Sequence, residues 1–230
     1  MSINSSIFLV FLGLTPSFVW LVFYLHEHFK HPEPRKLIFL TFLTGAVTTF
    51  VVLPVQLFLN GQLSRAGVGS YSILSFVVLA ATEELIKFLG VYTVIHSNRH
   101  FSEPLDAMIY MITGALGFAA VENIASLFQV ANGAFLNIDV IQSITLRSVG
   151  ATLLHSLTSG LVGYYWGLGF YKPEERRFLI VKGLVIGSLL HAVFNWLIIT
   201  YGPASTAILF LVFIGFFVLN DFEKFKKLDT

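Results

Sequence analysis

The chain has no cysteine. Disulfides and thiolate metal ligands are therefore excluded, and any metal must be held by His, Asp, Glu or Asn. Charge is scarce too. Asp, Glu, Lys and Arg make up 12% of the 230 residues, where a soluble domain carries about 25%. With 56% hydrophobic residues and a mean hydropathy of +0.80, this scarcity identifies an integral membrane protein whose surroundings are the lipid bilayer. The net charge of +1 rests on basic residues spread over short loops, so nothing points to nucleic acid. No Lys or Arg precedes the first apolar segment, and no small-residue cleavage site follows it. That segment is expected to be a retained helix rather than a signal peptide. Internal repeats and low-complexity stretches are also missing, and residues 1–230 read as one membrane domain with its motifs between about 71 and 200.

What is present is a series of apolar runs near the 20 residues needed to span hydrocarbon. Seven stretches qualify: residues 5–25, 37–59, 71–95, 104–129, 144–169, 178–199 and 204–220. The expected fold is an all-α, polytopic bundle of about seven transmembrane helices. Pro54 predicts a kink in the second. Breakers mark the connections at His31-Pro32-Glu33-Pro34, Asn60-Gly61, Asn132-Gly133 and Gly202-Pro203. The longest connection, 130–143, carries Phe135, Leu136 and Ile138 and suits the membrane interface.

Eleven of the fourteen basic residues fall in alternate loops, around Lys30–Lys36, Arg99, Lys172–Lys182 and Lys224–Lys227. The opposite face has only Arg65 and Arg147. The positive-inside rule then predicts an N-terminus outside and a C-terminus in the cytoplasm. His26, His28, His31, His96 and His100 lie in or beside the cytoplasmic loops and read as solvated.

Few ionisable groups lie deep within a span: Glu83, Glu84, Lys87, Glu122, His155 and His191. An acidic residue at a helix centre carries an insertion penalty of roughly 2.5–3.5 kcal/mol, so such groups usually face the bundle interior. Lys87 is within reach of either carboxylate and can neutralise one while leaving the other free. Measured at 1.5 Å per residue, Glu83 lies roughly 18 Å from the outer end of its span, Glu122 roughly 10 Å, His155 roughly 16 Å and His191 roughly 12 Å. Four consecutive helices thus bring acid–base or ligand-type side chains to one layer. Asn195, four residues beyond His191, faces the same way. Singly, each has a plain structural reading: an ion pair, a core histidine, a polar contact between helices. Together, two histidines and three glutamates make the inventory of a metal hydrolase, a 2-His-1-carboxylate site plus a Glu base. The glycines at 114, 117, 160, 163, 167, 183 and 187 suit close helix packing.

Four short patterns carry a family resemblance: Glu83-Glu84-x-x-Lys87, Phe118-x-x-x-Glu122-Asn123, His155, and His191-x-x-x-Asn195. In these the chain resembles the PrsW family of bacterial intramembrane proteases, grouped with the type II CAAX prenyl endopeptidases and the bacteriocin-processing Abi proteins. The CAAX enzymes have a histidine where this chain has Glu122, which favours PrsW over a prenyl-protein substrate. The resemblance implies cleavage of a membrane-tethered, single-span protein, typically an anti-sigma factor, at its extracytoplasmic side. The reading that follows gives Glu122, His155 and His191 a metal, zinc first. Glu83 is the general base, Glu84 a second base or ligand balanced by Lys87, and Asn195 the oxyanion partner, with Asn123 supporting Glu122. The alternatives are a metal-free glutamate protease, a CAAX-type prenyl-protein endopeptidase, an ion-coupled transporter, and a non-catalytic scaffold like the related subunits of γ-secretase.

Overall fold

The computed structural model describes residues 3–27, 33–131, 138–202 and 205–228. Among them the chain forms eight α-helices and one 3-10 turn, with no strand. In order these are α1 (Ile3–Glu27), α2 (Arg35–Arg65), α3 (Ile73–Ile95), α4 (Pro104–Val130), α5 (Ile138–Val149), α6 (Ala151–Leu168), α7 (Arg176–Tyr201) and α8 (Ser205–Leu228). The molecule is an all-α, polytopic helical membrane protein. Five helices, α1, α2, α4, α7 and α8, are long and apolar enough to cross a membrane by length and composition alone. The two others expected to span are α3, with three ionisable residues near its middle, and α6, whose apolar run is diluted by His155, Ser156, Thr158 and Ser159. These two carry most of the polar centre described below.

Helix α4 is the axis of the bundle. Nearly every residue from Pro104 to Ala120 is buried, and α1, α2, α3, α6 and α8 pack around it. Its small residues explain how so many helices approach. A Cβ on Gly117 would lie 1.9 Å from the Phe42 carbonyl oxygen of α2, and one on Gly163 of α6 would lie 2.5 Å from the Ala107 carbonyl oxygen. Only glycine permits backbones that close. The outer surfaces are the reverse: Phe39, Leu43, Val47 and Phe50 of α2, and Leu209, Val212, Phe213 and Phe216 of α8, are exposed. A shell of large apolar side chains over a core with buried polar groups is what lipid tails, not water, would solvate.

Helix starts follow local capping chemistry. Ser72 Oγ accepts from the Ser75 amide at 3.1 Å at the head of α3. Asp106 Oδ2 accepts from the Ser102 and Glu103 amides, both at 2.8 Å, at the head of α4, where Pro104 fills the first turn.

Three expectations need correction. Asn60-Gly61 is not a connection: α2 runs on to Arg65 and ends at Gly67, whose φ of 77° supports a C-terminal turn with Val68 N–H bonded to Leu63 O at 2.9 Å. One exposed glycine inside a helix costs only about 1 kcal/mol, too little to end it. The stretch 144–169 is two helices, not one. Gly150 (φ −96°, ψ −93°) breaks it: its N–H closes the last turn of α5 on Leu146 O at 2.7 Å, and its carbonyl opens α6 by accepting from Leu154 N–H at 2.9 Å. Apolar residues continue across that break, so hydropathy alone does not register it. Part of the expected connection 130–143 is therefore helical, as the start of α5. Pro54 lies inside a continuous α2. Asn132-Gly133, Pro203 and His31-Pro32 lie outside the described residues.

Candidate metal and proteolytic centre

Helices α3, α4, α6 and α7 each direct one or more polar side chains to a common point in the bundle. On α3, Glu83 and Glu84 are neighbours in sequence and therefore about 100° apart around the helix, so they meet different partners. Glu84 is fully buried and saturated. Its Oε1 accepts from Lys87 Nζ at 2.6 Å, His191 Nδ1 at 2.9 Å and Thr158 Oγ1 at 3.2 Å, while Oε2 accepts from Ser159 Oγ at 3.1 Å. Lys87 takes this carboxylate rather than Glu83, contacts His155 Nδ1 at 3.1 Å, and lies 5.0 Å from the centre of the Phe118 ring.

Glu83 is different. Its Oε1 accepts from Gln56 Nε2 at 2.7 Å. Its Oε2 is buried with no hydrogen-bond partner, 3.7 Å from His191 Nε2. A carboxylate can only accept, so the contact with Glu84 puts the His191 proton on Nδ1 and leaves the Nε2 lone pair facing Glu83. A carboxylate behind the far nitrogen of a histidine is the usual support of a metal-ligating imidazole. His155 stands 5.0 Å away, ring centre to ring centre, with its plane 82° from that of His191.

One carboxylate oxygen of Glu83 and one ring nitrogen each from His155 and His191 lie within 4.8 Å of one another, and all three residues are buried. Bonds of about 2.0–2.2 Å to a tetrahedral zinc put its ligand atoms roughly 3.3 Å apart. The Glu83–His191 separation is already near that value. The unpartnered Glu83 oxygen and the His191 lone pair fit such an ion as they stand, and His155 joins them through Nδ1 once Lys87, which donates to that nitrogen at 3.1 Å, gives the lone pair up.

Glu122 stands one contact outside this trio. Its Oε2 lies 2.8 Å from His155 Nε2 and 3.4 Å from an Arg147 guanidinium nitrogen, and its side chain is 30% exposed. Because Lys87 only donates to His155 Nδ1, the ring proton of neutral His155 sits on Nε2 and is given to Glu122. Asn123 accepts from Arg147 Nε at 2.7 Å and donates to Thr152 Oγ1 at 2.9 Å. Asn195 is not within hydrogen-bond reach of the cluster. It lines a neighbouring cavity of about 470 Å³.

Of the residues singled out from sequence, Glu83, Glu84, Lys87, Glu122, Asn123, His155 and His191 thus form one connected network, and Asn195 stands beside it. Sequence reasoning missed Gln56, Thr158, Ser159 and Arg147. Gln56 had a signal, an amide inside an apolar run just after Pro54. Thr158 and Ser159 had a weaker one, lying about a turn past His155 on the same face. Arg147 had been counted only as an outer-loop charge.

Comparison with known proteins gives the family. The family described as PrsW family intramembrane metalloprotease matches residues 33–220. The curated relatives include Protease PrsW of Bacillus subtilis, 26% identical over 220 residues covering 94% of this chain and 95% of the relative. Protease PrsW of Geobacillus kaustophilus is 28% identical over 192 residues, 83% of this chain and 80% of the relative. Protease PrsW of Clostridioides difficile is 29% identical over 200 residues, 85% and 80% respectively. No solved structure matches the chain.

Proposed function

The chain belongs to the PrsW family of intramembrane metalloproteases, a multi-pass bacterial membrane protease, and from that premise we propose how its residues divide the work. Glu83, His155 and His191 hold a zinc ion. The single observation that carries this is the buried Glu83 Oε2, which has no partner and faces the free Nε2 of His191 at 3.7 Å. When bound there, zinc supplies Lewis acidity and lowers the pKa of its water toward roughly 7.

The protein's own residues do the rest. Glu84 holds His191 in the required tautomer, and Lys87 balances the Glu84 charge. Gln56 occupies one oxygen of Glu83 and leaves the other free. Glu122, more exposed than the other acids and bonded to His155, takes a proton from the attacking water and returns it to the departing amine. Asn195, one turn from His191, donates to the peptide carbonyl as negative charge develops on it. This exchanges the roles that Glu83 and Glu122 have in the sequence reading, because the convergent donor atoms are those of Glu83. The substrate is a membrane-tethered, single-span protein of anti-sigma-factor type, cleaved on the extracytoplasmic side.

The test is metal content and cleavage measured together on detergent-purified variants. Wild type should carry roughly one zinc per chain, as a three-ligand catalytic site does. Glu83→Gln, His155→Ala and His191→Ala should lose metal and activity, while Glu122→Gln should keep metal and lose activity. Metal retained in Glu83→Gln but lost in Glu122→Gln refutes the exchange. An active, metal-free preparation refutes zinc and leaves Glu122 and His155 as a metal-free acid–base pair.

A further inference from the structure

The cavity beside the site is organised by the same helices as the site itself. Ser126 of α4 lies one turn beyond Glu122, Asn195 of α7 one turn beyond His191, and Ala151 of α6 one turn before His155. All three line the cavity. One helical turn is about 5.4 Å, so the cavity is the next layer along the bundle axis from the metal-ligand layer. Its volume is about 470 Å³, within the range of about 300–1,000 Å³ of sites that enclose a ligand. Its walls are apolar, with Leu146 of α5, Phe194 and Ile198 of α7 and Leu211 of α8 among them.

Besides the hydroxyls of Ser126, Ser143 and Thr145, an amide and a guanidinium interrupt those walls. The Asn195 amide makes no hydrogen bond to any described residue. The Arg147 guanidinium lines the cavity and also donates to Asn123 Oδ1 at 2.7 Å and approaches Glu122 Oε2 at 3.4 Å. Arg147 thus joins the cavity to the acid that the proposed mechanism uses. No Asp or Glu among the described residues lines the cavity, so its electrostatics favour an acceptor over a cation.

We infer that this cavity receives the apolar, extended stretch of the substrate next to the scissile bond, and that Arg147 positions it by donating to a main-chain carbonyl. The inference rests on the protease reading of the adjoining centre. A peptide must leave its helix to be cut, and each main-chain group freed in an apolar setting needs a new partner. Apolar walls accept the side chains of a membrane segment. Arg147 and Asn195 offer the donors, and Asn195 can also accept. A groove of one sign and mixed apolarity, continuous with the centre through Arg147, suits that occupant and not a charged or soluble peptide.

The experiment uses this chain's lack of cysteine. The Glu83→Gln protein, blocked in cleavage, is reconstituted in liposomes with a synthetic single-span peptide of leucine and alanine that carries one cysteine just outside its span. Ile198→Cys and Ile208→Cys, both at the cavity, should each form a disulfide with the peptide. The yield should exceed that of lipid-facing Phe216→Cys on the same helix as position 208 by roughly tenfold, the factor one moderate contact supplies. Leu146→Trp, which fills the cavity, should remove that excess. Arg147→Gln, made in the Glu83-intact protein, should keep its zinc, and in the blocked protein it should lower cross-linking several-fold. Position 208 is already 40% exposed, so its variant reads out even if the one at 198 folds poorly. Equal cross-linking at 208 and 216 overturns the cavity as the substrate site and leaves a lipid chain as its occupant. Full cross-linking in Arg147→Gln overturns the role given to Arg147. Because the read-out is proximity and not cleavage, failure of the zinc assignment leaves these outcomes unchanged.

Discussion

Two glutamates that are adjacent in sequence should respond in opposite ways to the same substitution. Glu84 is fully buried and accepts four hydrogen bonds, including one from a Lys87 that is itself 1% exposed. Glu84→Gln keeps the shape but removes the charge, leaving Lys87 without its counter-ion. Breaking a buried pair from one side costs about 3–5 kcal/mol. At roughly 2–4 °C per kcal/mol for a chain of this size, the melting temperature should fall by about 6–20 °C. Glu83→Gln loses far less. One of its oxygens still accepts from Gln56, and the other had no partner to lose. Removing a poorly solvated buried charge should leave stability within about 1 kcal/mol of wild type or raise it. The assay is thermal unfolding in detergent after chelation, so that metal linkage does not enter. Adding Lys87→Met to Glu84→Gln should restore most of the loss. Equal melting temperatures for Glu83→Gln and Glu84→Gln would refute the division of labour between the two carboxylates.

The remaining predictions are more compact. Gln56→Leu should lower metal affinity by roughly 10–100-fold with little change in unfolding, the range seen when a group behind a ligand is removed, and competition with a chelator measures it. Gly117→Ala places a Cβ 1.9 Å from the Phe42 carbonyl oxygen and should lower stability by about 1–3 kcal/mol or more, whereas Gly61→Ala, with nothing within 4 Å, should raise it by up to about 1 kcal/mol. Both are checked by thermal unfolding. For orientation, Ser70→Cys should react with a membrane-impermeant thiol reagent outside intact cells and Ser97→Cys should not. Both positions are exposed, so the reverse pattern would invert the topology.

Most of the helical plan was legible because membrane spanning is a one-dimensional demand: enough consecutive apolar residues. The plan failed where a helix end depends on backbone conformation rather than on hydropathy. Nothing in the apolar pattern distinguishes Gly61, which sits inside α2, from Gly67, which ends it. The difference is a left-handed φ at Gly67 that lets Val68 reach the Leu63 carbonyl. Gly150 is the same case. It lies between two stretches that each suit an apolar setting, so the break between α5 and α6 leaves no trace in composition.

The site was legible as a set and not as a set of roles, and the reason is geometric. Depth along each helix follows from counting residues, so the layer shared by Glu83, Glu122, His155 and His191 could be drawn from sequence. Azimuth could not, because it depends on how each helix is rotated by its neighbours. Glycine contacts press α4 against both α2 and α6, while α3 packs between α2 and α7. That packing turns Glu84 toward Lys87, Thr158, Ser159 and His191, and turns Glu83 toward Gln56 and the far nitrogen of His191. Lys87 was within reach of both acids by spacing alone, and its choice of Glu84 follows from that rotation. The same reasoning explains Arg147. It belongs to a helix that hydropathy merged with α6, so no count of residues along that span could have brought its guanidinium to Asn123 and Glu122. The residues that act through others in this protein are the ones whose positions only the packing determines.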